Sequence, residues 1–174
     1  APPTEPVRLT QAACRYSPRV LGVVRGQPVL VSNSDGTLHN VHALLGDRTV
    51  LNQIQLNAEA PLIDLRPVTA ATRTSPLKLR CDIHPWMAAY VFVLEHPFFS
   101  VTAADGTFTI SNLPAGEYTL EAWHERLGTR RAKLSVSSAA KVSRTEFLFT
   151  LEPSAPAPPP EPKKPAPLPA ASGG

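Results

Sequence analysis

Two short strand patterns that close on one loop constrain this chain more than any other feature. Leu77-Lys78-Leu79-Arg80-Cys81 alternates apolar and polar residues with period two, and Ala89-Tyr90-Val91-Phe92-Val93-Leu94 is an apolar run of strand length. Between them lies Cys81-Asp82-Ile83-His84-Pro85-Trp86-Met87, which sets a thiol, an imidazole and a thioether in a C-x2-H-x2-M spacing. A soft sulfur donor, a borderline nitrogen donor and a second, weaker sulfur donor suit copper and not calcium or magnesium. One loop supplies only three donors. The missing imidazole is expected from His39, in the stretch Ser32-Asn33-Ser34-Asp35-Gly36-Thr37-Leu38-His39-Asn40-Val41-His42.

The rest of the chain repeats the short-strand texture. Val20–Val24 and Val29–Asn33 flank the turn Arg25-Gly26-Gln27-Pro28, and the pattern predicts neighbouring strands. Asn33-Ser34-Asp35-Gly36 is a second turn cluster and places His39 at the start of the next structured segment. Residues 44–75 mix polar and apolar positions, which predicts irregular strands and loops with room for one short helix. After His96-Pro97, Asp105-Gly106 signals a hairpin between Ser100–Thr102 and Thr107–Ile110. Strands are then expected at Glu117–His124, Ala132–Val136 and Thr145–Leu151. Regular short strands separated by turns point to an all-β sandwich.

Composition narrows the function classes. Nine of the 20 prolines fall between Pro153 and Pro169, so residues 153–174 are expected to be a disordered, Pro-rich tail that cannot build a core. That tail reads as a tether or spacer toward a surface or partner. The net charge of +3 comes with no basic stripe interleaved with aromatics, which argues against nucleic acid as a partner. No apolar run approaches the roughly 20 residues that span a bilayer. The start at Ala1 without a methionine fits a mature, exported chain whose signal peptide has been removed. No G-x-S-x-G elbow, phosphate-cradling glycine loop, H-E-x-x-H or paired carboxylate stands out, so the chain is not read as an enzyme.

At this point the chain resembles a known family. Tyr16-Ser17-Pro18, Gly26-Gln27-Pro28-Val29-Leu30-Val31-Ser32-Asn33 and His39-Asn40-Val41 look like the front half of plastocyanin-like cupredoxins, and Cys81, His84 and Met87 match that family's ligand loop. The resemblance covers residues 7–95 and implies a cupredoxin-like Greek-key sandwich. It also implies a type 1 copper site of His39, Cys81, His84 and Met87, with Asn40 bracing the loops beside the thiolate. The His-to-Met spacing is short for plastocyanin, and Trp86 adds a large aromatic between two ligands. Residues 96–152, through Val101–Leu120, resemble carboxypeptidase regulatory-like, Ig/transthyretin-like β-sandwich modules. Fusion of the two patterns is similar to a group of exported bacterial proteins, periplasmic or on the cell surface. The implied function is one-electron transfer with a redox partner protein.

Cys14 leaves the role of Cys81 open. The resemblance sets the segment before Tyr16 at the ligand end of the sandwich, where a Cys14–Cys81 disulfide is chemically favoured in an exported protein. A bridged sulfur is no thiolate ligand. The site would then be His39, His84 and Met87 with His42 as an additional ligand, serving copper carriage or storage. A third reading is a metal-free structural or binding β module. His42, His96 and His124 otherwise read as hydrogen-bonded structural or surface groups, and Trp86, Phe92, Trp123 and Phe147 as packing or interface anchors.

Overall fold

The computed structural model describes residues 2–71, 76–139 and 142–150. Strands dominate them, with one six-residue helix, α1 (Arg66–Ala71), so the all-β expectation holds. None of the described helices is long and apolar enough to cross a membrane. The chain divides into two compact units, Ala1–Leu113 and Pro114–Gly174. The Pro-rich tail expected over residues 153–174 lies outside the described residues.

The first unit contains β1 (Val7–Ala12), β2 (Arg15–Ser17), β3 (Val20–Val24), β4 (Val29–Asn33), β5 (His39–Leu45), β6 (Arg48–Gln55), β7 (Ile63–Asp64), β8 (Leu77–Arg80) and β9 (Ala88–Leu94). One sheet runs in the order β2-β1-β4-β7, the other β3-β9-β8-β5-β6. Two parallel pairs, β1 with β4 and β3 with β9, sit among antiparallel neighbours. The alternation read from the sequence decides which side chains turn inward. Leu9, Val29 and Val31 from one sheet meet Leu21, Val23, Val41, Ala43, Leu77, Leu79, Ala89 and Val91 from the other in a single core. Burying each of the valines and leucines stabilises the sandwich by roughly 1.5–3 kcal/mol.

The Val20–Val24 and Val29–Asn33 runs are not hydrogen-bonded neighbours. β3 pairs with β9 and β4 with β1, so the turn at 25–28 carries the chain from one sheet to the other. Gly26 takes φ +79° there, where a Cβ is penalised. At the two ends of the turn, the Arg25 N–H donates to Leu94 O at 2.8 Å and the Val7 N–H to Pro28 O at 2.9 Å, which anchors each end to its own sheet. Apolar alternation reports which face is buried. It carries no information on which strand is the partner.

The Asp105-Gly106 turn forms as expected, with Ala103 N–H donating to Thr107 O at 2.8 Å, but no strand ladder flanks it. Val101 is 49% exposed and the neighbouring residues are exposed too, so little burial rewards a longer ladder. In the second unit β10 (Gly116–His124) and β11 (Gly128–Val136) form one antiparallel hairpin. His124 Nδ1 accepts the N–H groups of Arg126 and Leu127 at 3.2 and 3.3 Å and so closes its turn. Residues 142–150 have no ladder, contrary to the strand expected from Thr145, yet burial over 145–150 still alternates with period two. Phe149 packs beside His124 and beneath the Arg130 guanidinium, 5.9 and 5.6 Å away.

Candidate metal centre

The site begins with the ends of β5 and β8. β8 alternates so that Leu77 and Leu79 fill the core, and its continuation delivers Cys81 inward, 1% exposed. His39 opens β5 and is fully buried. The loop after β8 folds back on itself: the Met87 N–H donates to His84 O at 2.9 Å, and the Cys81 N–H to Met87 O at 3.4 Å. This returns His84 to Cys81 and seats Met87, 1% exposed, in the core.

Three donor atoms converge. His39 Nδ1 and His84 Nδ1 are 3.0 Å apart, and the Cys81 Sγ stands 3.9 Å from the first and 3.7 Å from the second. A transition-metal ion with nitrogen bonds of about 2.0 Å and sulfur bonds of about 2.3 Å, at tetrahedral to trigonal angles, holds such atoms about 3.3 to 3.8 Å apart. The observed distances lie close to that span. The donor set is imidazole, imidazole and thiol, with a thioether from Met87 in the same loop. This chemistry fits copper and excludes hard oxygen-seeking ions.

His39 is oriented by a carboxylate that sequence reasoning did not single out. Asp35 Oδ2 accepts the His39 Nε2–H at 2.8 Å, which leaves the Nδ1 lone pair facing the cluster. The same carboxylate accepts the backbone N–H groups of Ala13 at 2.7 Å and Cys14 at 2.9 Å. The Cys14 N–H holds the Asp35 carboxyl below the usual carboxylate range, with the His39 ring and the Ala13 N–H adding to the effect. The available signal was an aspartate four residues before the candidate ligand, within a turn cluster.

Asn40 bridges two segments beside the cluster. Its Oδ1 accepts the Asp82 N–H at 2.7 Å, and its Nδ2 donates to Asn52 Oδ1 and Asp82 Oδ2, each at 2.8 Å. It thus ties the residue after His39 to the residue after Cys81. His42 faces a different set of groups. Its Nδ1 contacts both Asp82 oxygens at 2.9 Å and its Nε2 contacts Thr49 Oγ1 at 2.7 Å, so both ring nitrogens are engaged. The His42 ring bonded to Asp82 holds that carboxyl low as well, with Asn40 and Asn52 contributing. Tyr16 closes the floor: its hydroxyl donates toward Asn40 O at 3.0 Å and lies 3.2 Å from Arg80 O. Burial pushes its phenol pKa well up, with Cys81 and Asp82 reinforcing the shift.

Trp86 is 63% exposed. Its ring stands edge-on to His84, centroids 5.3 Å apart, and its Nε1–H donates to Cys14 O at 3.0 Å. Cys14 and Cys81 are both free thiols in this structure. The Cys14 sulfur and ring nitrogens of His39 and His84 lie within 4.8 Å of one another, a proximity expected from the sequence only as a route to a bridge.

No protein-family model and no curated protein matches the sequence. Among solved structures the chain is similar to a purple cupredoxin from Nitrosopumilus maritimus, at 20% identity over 51% of this chain and 99% of that one, with a TM-score of 0.40. It is similar to amicyanin from Paracoccus versutus, at 19% identity over 53% of this chain and 84% of that one, TM-score 0.43. A copper-containing nitrite reductase from Thermus scotoductus SA-01 shares 20% identity over 53% of this chain and 23% of its own, TM-score 0.43. All three similarities span about half of this chain.

Proposed function

We propose that the first unit binds copper through His39, Cys81, His84 and Met87 and serves as a one-electron carrier. The observation that carries this reading is the convergence of His39 Nδ1, His84 Nδ1 and Cys81 Sγ within 3.0 to 3.9 Å of one another. Copper would supply the redox couple. The residues supply a fixed geometry: Asp35 sets the tautomer of His39, Asn40 locks the two ligand-bearing segments together, and the β5–β8 ladder holds both. A site braced on rigid strands rearranges little between oxidation states, which is what a carrier requires. His39 is fully buried whereas His84 is half-buried beside exposed Trp86. Electrons would therefore enter and leave at the His84–Trp86 edge, where a redox partner protein docks.

The same reading puts the protein in the periplasm or at the cell surface and gives it no catalytic turnover of its own. Residues 7–95 would form the copper domain, residues 96–152 the accessory β module, and residues 153–174 the tether. The test is retention of the ion through redox cycling. The copper-loaded full chain is reduced with ascorbate and re-oxidised repeatedly in the presence of a Cu(I) chelator. A carrier keeps its copper in both states. Loss of the ion to the chelator on the first reduction overturns electron transfer in favour of copper delivery.

A further inference from the structure

Cys14 is the one sulfur near the cluster that the ligand set above does not use. It sits in the β1–β2 turn, where Ala13 and Cys14 both take positive φ, 50° and 52°. Its sulfur and ring nitrogens of the same two histidines, His39 and His84, lie within 4.8 Å of one another. The thiol is free and half-buried, and the residue packs against the core. Two groups of the site fix its backbone: the Asp35 carboxylate that orients His39 accepts the Cys14 N–H, and the Trp86 indole beside His84 donates to the Cys14 carbonyl.

We propose that Cys14 is a second thiolate ligand to the ion held by His39, His84 and Cys81. The centre's strong donors are then two cysteines and two histidines, with the Met87 thioether of the ligand set above left as a weaker one. Two thiolates and two imidazoles are a four-coordinate, tetrahedral donor set, the arrangement that closed-shell, thiol-seeking ions adopt. Among closed-shell ions this set favours Cu(I), the reduced state of the carrier, and, in competition with it, Zn(II). Both sulfurs bind the ion as thiolates, their two protons passing to solvent. This inference rests on the metal-site reading above.

Alkylation of the unaltered full chain tests it. Under reducing conditions the protein is treated with iodoacetamide, with and without one equivalent of Cu(I) or Zn(II), and labelling of Cys14 and Cys81 is followed separately by peptide mass mapping. The expected result is that the ion slows labelling of both thiols by about tenfold or more, because a ligated thiolate is withdrawn from reaction. Protection of Cys81 with Cys14 labelled at its metal-free rate overturns the second-ligand inference and leaves the metal site standing. Protection of neither thiol overturns both. A second measurement separates ligation from simple shielding. The Co(II)-loaded chain shows thiolate-to-metal charge transfer, which Cys14→Ser should reduce by about half with the protein still folded. Full intensity in that variant contradicts ligation by Cys14.

Discussion

Replacing Asp35 with asparagine keeps the shape of the side chain and removes one acceptor oxygen and the charge. In the native site Oδ1 accepts the Ala13 N–H, while Oδ2 accepts both the Cys14 N–H and the His39 Nε2–H. An amide can place its single oxygen in only one of these positions. In the better orientation it keeps Cys14 and His39 as neutral bonds and turns its own NH2 against the Ala13 N–H. One charge-assisted bond is lost and two are weakened. Hydrogen bonds to charged groups are worth about 1.5–3 kcal/mol, and the Asp35 side chain is 18% exposed, which screens it only in part. The expected destabilisation is about 2–3 kcal/mol. With a urea m-value of about 2 kcal/mol/M, the unfolding midpoint of the metal-free chain falls by about 1 M or slightly more. Because the tautomer of His39 is then held less firmly, Cu(I) affinity falls by about tenfold or more, the usual effect of removing a carboxylate behind a ligating histidine. A midpoint within about 0.2 M of the unaltered chain, together with affinity within about twofold, would refute the role assigned to Asp35.

Three further outcomes follow from the same geometry. Gly22→Ala places a Cβ 2.5 Å from Cδ2 and Cε2 of Phe99, so it should cost about 1–3 kcal/mol by overpacking; urea unfolding should show less of this cost in a Phe99→Leu background. Asn40→Ala strands the Asp82 N–H and frees the loop after Cys81, lowering stability by about 2–3 kcal/mol, and the ligand loop should exchange amide hydrogens faster with no change in the second unit. Asp35 and Asp82 both have depressed folded-state pKa values. Their stabilisation is fully present above the unfolded carboxylate value of about 3.9 and is lost as pH falls through the folded values. Acid unfolding of the metal-free chain should therefore be flatter below pH 4 in the Asp35→Asn, Asp82→Asn double variant; an identical acid limb would remove these two carboxylates from the account.

Much of the site was legible because it depends on local periodicity. The alternation of Leu77 to Cys81 points Leu77, Leu79 and Cys81 to one side, and the hydrophobic partners of that face are plain in the composition of β3, β4 and β9. His39 next to a turn cluster was legible for the same reason. Pairing was not. β3 and β4 are consecutive and equally apolar, and only the sheet crossing at Gly26 separates them. Asp35 was hidden because a carboxylate in a turn looks like any other solvated turn residue until the 13–14 backbone arrives from a distant part of the chain. Asp82 shows the reverse case: it stands inside the motif, but its engagement with His42 and Asn40 depends on the β5–β8 register. In the second unit residues 145–150 alternate between half-buried and exposed without forming the expected ladder, because alternation alone supplies no partner strand.

The most direct measurement of the central claim is the visible absorption spectrum of the full chain titrated with Cu(II), after mass spectrometry has shown Cys14 and Cys81 both reduced. Convergence of His39, His84 and the Cys81 sulfur predicts an intense thiolate-to-copper charge-transfer band that saturates at one equivalent and weakens strongly in Cys81→Ser. A chain with both thiols free that binds Cu(II) without such a band, or a Cys81→Ser variant that keeps it at full intensity, would contradict the site described here.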